Sequence, residues 1–357
     1  MQSLESRNQK IIDAVLQKER LLCPGSIALI GIYGSFATGD IHPFSDLDLL
    51  ILINDNRGHI LSRAFVQEDL QVAHDIYCTT WDSLQEDLEA MHPHIAKWMD
   101  AKILYCADET DRQKLYALRE QMQSKLSAAL TPEEYESAET VLRDAQMYCI
   151  RALTSSELSD VRKWAGASLY FLETALAMLN KTYFRCGVHR AYAELSEMKK
   201  RPEALCAQIE DMVCAETPEK LKKALSDLMC SIVFVFDAEK RMLSPEKHLP
   251  DPTALMGTYE EMVSNWRGKL RLAAETGDRH LAFSSLAGFE GMLADLTAQF
   301  SLPSFDVFTI YDPDDLAATS ARFDALLERY REICESFGTK LFLYPNVDAF
   351  AADYLKN

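Results

Sequence analysis

GIYGSFATGDIHPFSDLDLLIL, residues 31–52, joins two apolar runs through a segment full of turn-forming residues. The run entering it, Ser26 to Tyr33 (SIALIGIY), is rich in β-branched residues and stops at Gly34-Ser35, where the chain must turn sharply, so it reads as a strand. The run leaving it, Asp46 to Ile53, alternates as a second strand. Asp46, Asp48, Leu50 and Leu52 share one face, and Leu47, Leu49, Ile51 and Ile53 share the other. Two carboxylates therefore point the same way.

Working outward, residues 8–22 place Ile11, Ile12, Val15, Leu16 and Leu22 at helical spacing, and Pro24-Gly25 ends that helix. Downstream, Gln71 to Tyr77 (QVAHDIY) is a third strand carrying Asp75 on the face of Gln71, Ala73 and Tyr77. Thr80-Trp81-Asp82 opens a helix through about Met91, and Lys102 to Tyr105 (KILY) is a short fourth strand. From about 112 to 240 nearly every segment has helical period, with Trp164 to Leu179 apolar enough to be a central buried helix. Pro245, Pro250 and Pro252 mark a linker. Beyond it come helices at about 254–274 and 279–300, a strand-like Val307 to Tyr311, a helix at about 314–336, and Leu341 to Tyr344. The expected fold class is α+β: a small mixed β-sheet domain over 1–110, a helical bundle over 111–248 and a mainly helical C-terminal domain over 249–357.

With 357 residues, 48% hydrophobic and 26% charged, the chain is an ordinary globular one with room for two or three cores. No apolar run reaches the ~18 residues of a membrane span, and Met1 to Leu22, interrupted by Glu5, Asp13 and Glu19, lacks the pattern of a signal peptide, so a cytoplasmic protein without a membrane partner is expected. The net charge of −18 repels polyanions and argues against nucleic acid as a partner. Nine cysteines without a C-x-x-C pair indicate reduced, mostly buried thiols rather than a zinc ribbon or a disulfide framework.

Gly34-Ser35, Asp46-x-Asp48 and Asp75 form the informative set. Two Mg²⁺ ions about 3.5–4 Å apart need several hard oxygen ligands on rigid backbone. Asp46 and Asp48 are suited to bridge both ions, and Asp75 to complete one shell and assist deprotonation of an acceptor hydroxyl. Gly34 lets backbone approach a phosphate, while the Ser35 hydroxyl and the amides that follow donate to phosphate oxygens. Such chemistry is nucleotidyl transfer. The bland alternative, a solvent-facing strand-end Asp pair with an unrelated exposed Asp75, stays open at this point.

On these residues the stretch 25–106 resembles the DNA polymerase β-type nucleotidyltransferase superfamily, and more narrowly its kanamycin nucleotidyltransferase-like and minimal nucleotidyltransferase branch. The following segment is similar in layout to that branch's HEPN-related helical domain. The resemblance implies Mg²⁺ (two ions), ATP or another NTP as co-substrate, and a small-molecule acceptor. It also implies a base and a phosphate-binding cation on the first long bundle helix. The usual Glu-x-x-x-Lys is missing from Arg143 to Arg151, and Asp144 and Arg151 are the nearest substitutes. Phe36 and Thr38 stand where the minimal branch often has a basic residue.

Charge supports a contribution from that helix. Residues 1–110 hold 8 Lys and Arg against 17 Asp and Glu, whereas residues 141–200 hold 9 against 6. Arg143, Arg151, Arg162 or Lys163 is therefore expected at the phosphates, from the same chain or from the partner in a homodimer. The expected activity is transfer of a nucleoside monophosphate, AMP from ATP, to a small-molecule hydroxyl, with an aminoglycoside-like cation suiting the acidic chain. The rivals are an antitoxin-type enzyme that AMPylates a protein and a non-catalytic nucleotide sensor. Glu173, in the apolar FLETALAML, is either a structural carboxyl or a base with a raised pKa. His74 faces away from Asp75 as an interior residue. Arg185 and His189 resemble a HEPN pair or are simply a basic helix end. Asp312 to Asp315 read as a helix cap, with Asp312 as the N-cap and Pro313 as the first helical residue.

Overall fold

The computed structural model describes residues 4–39, 41, 45–186, 190–244 and 246–355. They fall into two compact units, Met1–Ser244 and Pro245–Asn357. The first begins with α1 (Leu4–Leu22), β1 (Ile27–Tyr33), the single turn α2 (Ser35–Thr38), β2 (Asp48–Ile53), a 3₁₀ turn (Asn56–Leu61), β3 (Arg63–Gln67), β4 (Val72–Thr80), α3 (Trp81–Ala90), α4 (Ala96–Met99) and β5 (Lys102–Cys106). The strands make a five-stranded mixed sheet in the order β3-β4-β2-β1-β5, with β2 parallel to β4 and the other pairs antiparallel.

Apart from Asp48 at the start of β2, strands β1 and β2 carry no charged residue, because both faces of the sheet are covered. Leu49, Leu50, Ile51 and Leu52 are wholly buried. Leu49 and Ile51 pack with Ile12 and Val15 of α1. Leu50 and Leu52 pack with Leu84, Leu88, Trp98, Leu115 and Met122 of α3, α4 and α5 (Glu109–Ser127). Each such side chain contributes roughly 1.5–3 kcal/mol, so this pair of strands is the rigid base from which the aspartates project.

Three boundaries differ from the sequence reading. β2 starts at Asp48 rather than Asp46, because its ladder with β1 ends at the Tyr33–Asp48 pair, where Gly34 turns away. Strand β4 runs on to Thr80. Strand β3 was not anticipated: it is an edge strand with no buried residue, so no apolar run announces it.

The helical part of this unit comprises α6 (Pro132–Thr154), α7 (Leu158–Leu179), α8 (Ala191–Glu197), α9 (Leu205–Val213) and α10 (Pro218–Leu243). A capping box, with Thr131 and Glu134 each bonding the other's backbone N–H, starts α6. As its apolar sequence requires, α7 is central, burying Val161, Ala165, Leu172, Leu176 and Leu179 in the bundle core. The bundle meets the sheet region around residues 92–100. Phe184 N–H donates to Pro93 O (2.9 Å), Tyr183 Oη donates to Asp100 Oδ1 (3.0 Å), and the His94 ring stacks on Tyr170 and Phe184, 5.5 Å from each.

The second unit holds α11 (Thr258–Met262), a π-helical turn (Val263–Arg267), α12 (Gly268–Thr276), α13 (Arg279–Gln299), a 3₁₀ turn (Val307–Ile310), α14 (Leu316–Ser336) and α15 (Val347–Tyr354). Its core is built on Leu286, Phe289, Phe323, Leu327 and Tyr330. Val307 to Tyr311 is thus a 3₁₀ turn, not a strand. Only Val307 is buried there, and Thr309 N–H closes on Asp306 O (3.2 Å). Asp312 accepts from Asp314 N–H (3.0 Å), making a turn, and the N-cap passes to Asp315, which accepts from Ala318 N–H (2.9 Å). Pro313 therefore precedes the helix instead of opening it. Among the described residues no helix is long and apolar enough to cross a membrane, and all nine cysteines are free, four of them buried.

Candidate active site

Gly34, Asp48 and Asp75 are brought together by register alone. Tyr33 at the end of β1 pairs with Asp48 on β2, and Asp48 pairs with Asp75 on β4. Asp46 lies two residues before β2, outside the strand, and its charge bears on the Asp48 carboxyl. Gly34 has φ +64°, and a Cβ there would stand 2.0 Å from Asp48 Oδ2, so the loop backbone rests directly against the carboxylate. The turn then closes through Ala37 and Thr38 N–H on Gly34 O (2.9 and 3.1 Å). Ser35 follows with its hydroxyl buried and, among the described residues, without a hydrogen-bond partner.

Electrostatics shows the same convergence. Burial first, then the charges of Asp46 and Asp75, push the Asp48 carboxyl up to about 6. Burial and then Asp48, Asp75, Tyr77 and Asp46 push the Tyr33 hydroxyl well above the usual phenol range. The cluster carries more negative charge than its surroundings neutralise. A divalent cation fits such a set: hard oxygen donors on fixed strands, crowded like charges and a spare hydroxyl beside them. Asp46, Asp48 and Asp75 would hold it. Among the described residues no three His, Cys, Asp or Glu side chains are already drawn round one point, so ligation would need side-chain rotation on a fixed backbone.

His74 is the interior residue that the sequence reading expects, whereas its bonds and the supporting residues Arg7, Lys97 and Lys102 escaped that reading. His74 is buried on the far face of β4, and its Nδ1 accepts from Leu47 N–H (3.0 Å), fixing the backbone between Asp46 and Asp48. Its Nε2 lies 3.3 Å from Gln67 Oε1. Arg7 of α1 donates to Ser45 O (3.3 Å), and the nearby Asp46 charge counters the effect of burial on its guanidinium. Lys102 on β5 donates to Phe36 O (3.4 Å) in the Gly-Ser turn. Lys97 of α4 lies 4.8 Å over the Tyr77 ring. The one available signal was that KILY pairs with β1, which places Lys102 opposite Ile32, two residues before Gly34.

Asp144 and Arg151 are exposed on α6, which packs on α7 and α10. The Arg151 guanidinium lies 5.0 Å over Trp164 and 5.8 Å over Tyr148, an aromatic shelf on the bundle. Register does not join these two residues to the aspartates. Glu173 is a half-buried carboxyl pushed up to about 7 by burial. Arg185 donates its backbone N–H to Glu194 (2.9 Å), while His189 lies outside the described residues.

Comparison with known proteins agrees with the N-terminal geometry. Residues 9–105 match the family model for the nucleotidyltransferase domain, which supports nucleotidyl transfer as the general class of activity. A nucleotidyltransferase-like protein from Exiguobacterium sibiricum 255-15, known from a crystal structure, is similar over 67% of this chain and 77% of that chain, at 10% identity and a TM-score of 0.34. No curated protein matches.

Proposed function

We propose that the protein is a Mg²⁺-dependent nucleotidyltransferase that moves a nucleoside monophosphate, AMP from ATP, onto a hydroxyl of a small molecule and releases pyrophosphate. The observation that carries this reading is the packing of Gly34 against Asp48, whose strand is in register with Asp75 inside a nucleotidyltransferase-type domain. When bound, Mg²⁺ offsets the charge of the triphosphate and acidifies the attacking hydroxyl.

The chain's own residues do the rest. Asp46 and Asp48 would hold the ion, which would offset the charge of the triphosphate, and the Ser35 hydroxyl donates to a phosphate oxygen. Lys102, beside the turn, adds the positive charge that Phe36 and Thr38 do not supply. Asp75 is the exposed member of the trio, so it faces the acceptor and takes the hydroxyl proton as the oxygen attacks the α-phosphorus. Asp144 is the bundle's alternative for that proton. Arg151 is the bundle's candidate for the leaving pyrophosphate, in the same chain or across a homodimer.

The acidic surface suits a cationic acceptor of aminoglycoside type in the cytoplasm. Incubation with each NTP, Mg²⁺ and a panel of aminoglycosides and other polyols, read by mass spectrometry, tests this. The expected product is an acceptor heavier by one nucleoside monophosphate. Labelling of a co-expressed protein instead would mark the antitoxin-type alternative, and nucleotide binding without any transfer would mark a sensor.

A further inference from the structure

Strand β3 leaves one edge of the sheet open. It stands outermost in the order β3-β4-β2-β1-β5, its sequence is RAFVQ, and none of its residues is buried. A free edge presents unpaired backbone N–H and C=O groups, and proteins normally blunt it with a bulge, a Pro, a Lys or a covering element. The opposite edge, β5, is blunted in this way: it opens with Lys102, and its register with β1 shifts between Ile30 and Gly31. On β3 the register with β4 runs unbroken from Arg63–Ile76 to Gln67–Val72, and the strand holds neither Pro nor Lys.

The side chains decide what this edge can take. Val66 is 61% exposed, and Ile60 and Leu70, just outside the strand, are exposed as well. Charge is ordered along the strand, with Arg63 at its start and Glu68 and Asp69 directly after its end. Among the described residues none of these three charged side chains has an ion-pair or hydrogen-bond partner. A second copy laid parallel against β3 would set Arg63 beside Arg63 and acid beside acid. Laid antiparallel about a two-fold axis at Val66, it sets Val66 against the partner's Val66, Ala64 against the partner's Glu68 and Arg63 against the partner's Asp69. Both ends then meet opposite charge, and the contact closes at two copies.

We infer that β3 is the surface through which two copies of this chain associate, pairing antiparallel with itself to make one continuous sheet. The edge is short, so the association is micromolar rather than tight. The partner's β3 lies two strand spacings, about 10 Å, from the β4 backbone that carries Asp75. The pairing does not depend on the nucleotidyl reading of that aspartate.

Sedimentation velocity of the full chain between ~1 and ~100 µM tests it. Wild type is expected to pass from monomer to dimer over that range, with the β3 amides exchanging hydrogen more slowly at the upper end. Val66→Lys sets two like charges face to face at the axis and should weaken association by about tenfold or more. Arg63→Glu should do the same by setting acid against acid. Adding Glu68→Arg and Asp69→Arg to that variant reverses the polarity of the whole strand and should restore association. All four positions are exposed in the single chain, so an unchanged circular dichroism spectrum is expected throughout. A wild type that stays monomeric, association that Val66→Lys leaves untouched, or an Arg63→Glu deficit that the reversed charges do not repair would each overturn the inference.

Discussion

At Gly34 backbone conformation and chemistry meet in one residue. A side chain there would be strained by the positive φ and would collide with Asp48 Oδ2 at 2.0 Å. Gly34→Ala should therefore cost ~2 kcal/mol of stability and displace the Asp48 carboxylate. The expected result is a lowered melting temperature together with loss of nucleotide binding, and normal binding by this variant would mean that the loop does not shape the site. Glu173 offers a cleaner pH effect. Its carboxyl is raised from 4.5 to about 7, so between those values the native chain holds more protons than the unfolded one, and stability falls as pH rises. Glu173→Gln does not titrate. It should be more stable than wild type by ~2 kcal/mol at pH 8 and nearly equal to it at pH 4. Melting temperatures measured across that range check this, and a constant difference between the two proteins would contradict it.

At the scale of elements, legibility followed burial. Strands β1 and β2 and helix α7 were readable because continuous apolar runs of the right length have few other homes. Strand β3 and helix α15 were not, since neither has a buried residue and nothing periodic marks them. The aspartates and Gly34-Ser35 were visible as a pattern. His74 was legible as an interior residue but not its bond to Leu47, and Arg7, Lys97 and Lys102 were not legible, because each acts through a pairing or a packing partner far away in sequence. The role of α6 is the element-scale question. If α6 lines the nucleotide site, Arg151→Ala raises KM for NTP severalfold with little change in melting temperature, and Asp144→Ala lowers kcat more than nucleotide affinity. If Arg151 serves only as a cover for Tyr148 and Trp164, stability falls slightly and KM does not move, which would leave the phosphates to Lys97 and Lys102.

At the scale of the whole molecule, charge is the constraint. A chain of net charge −18, with 17 acids against 8 cations in its first 110 residues, repels free ATP. Under the proposed function, the Asp46–Asp48–Asp75 cluster would hold nucleotide only with a divalent cation to reverse the local sign. Asp48 makes this measurable without confusion from misfolding. Its carboxyl is raised to about 6, so ionisation above that pH works against the fold, and Asp48→Asn relieves the repulsion. The decisive measurement is ATP binding by equilibrium dialysis at pH 8, with and without Mg²⁺, for wild type, Asp46→Asn and Asp48→Asn, alongside their melting temperatures. The account predicts Mg²⁺-dependent binding by wild type, loss of most of it in both variants, and a melting temperature for Asp48→Asn equal to or above that of wild type. Wild-type affinity for Mg²⁺-ATP in Asp48→Asn would contradict it.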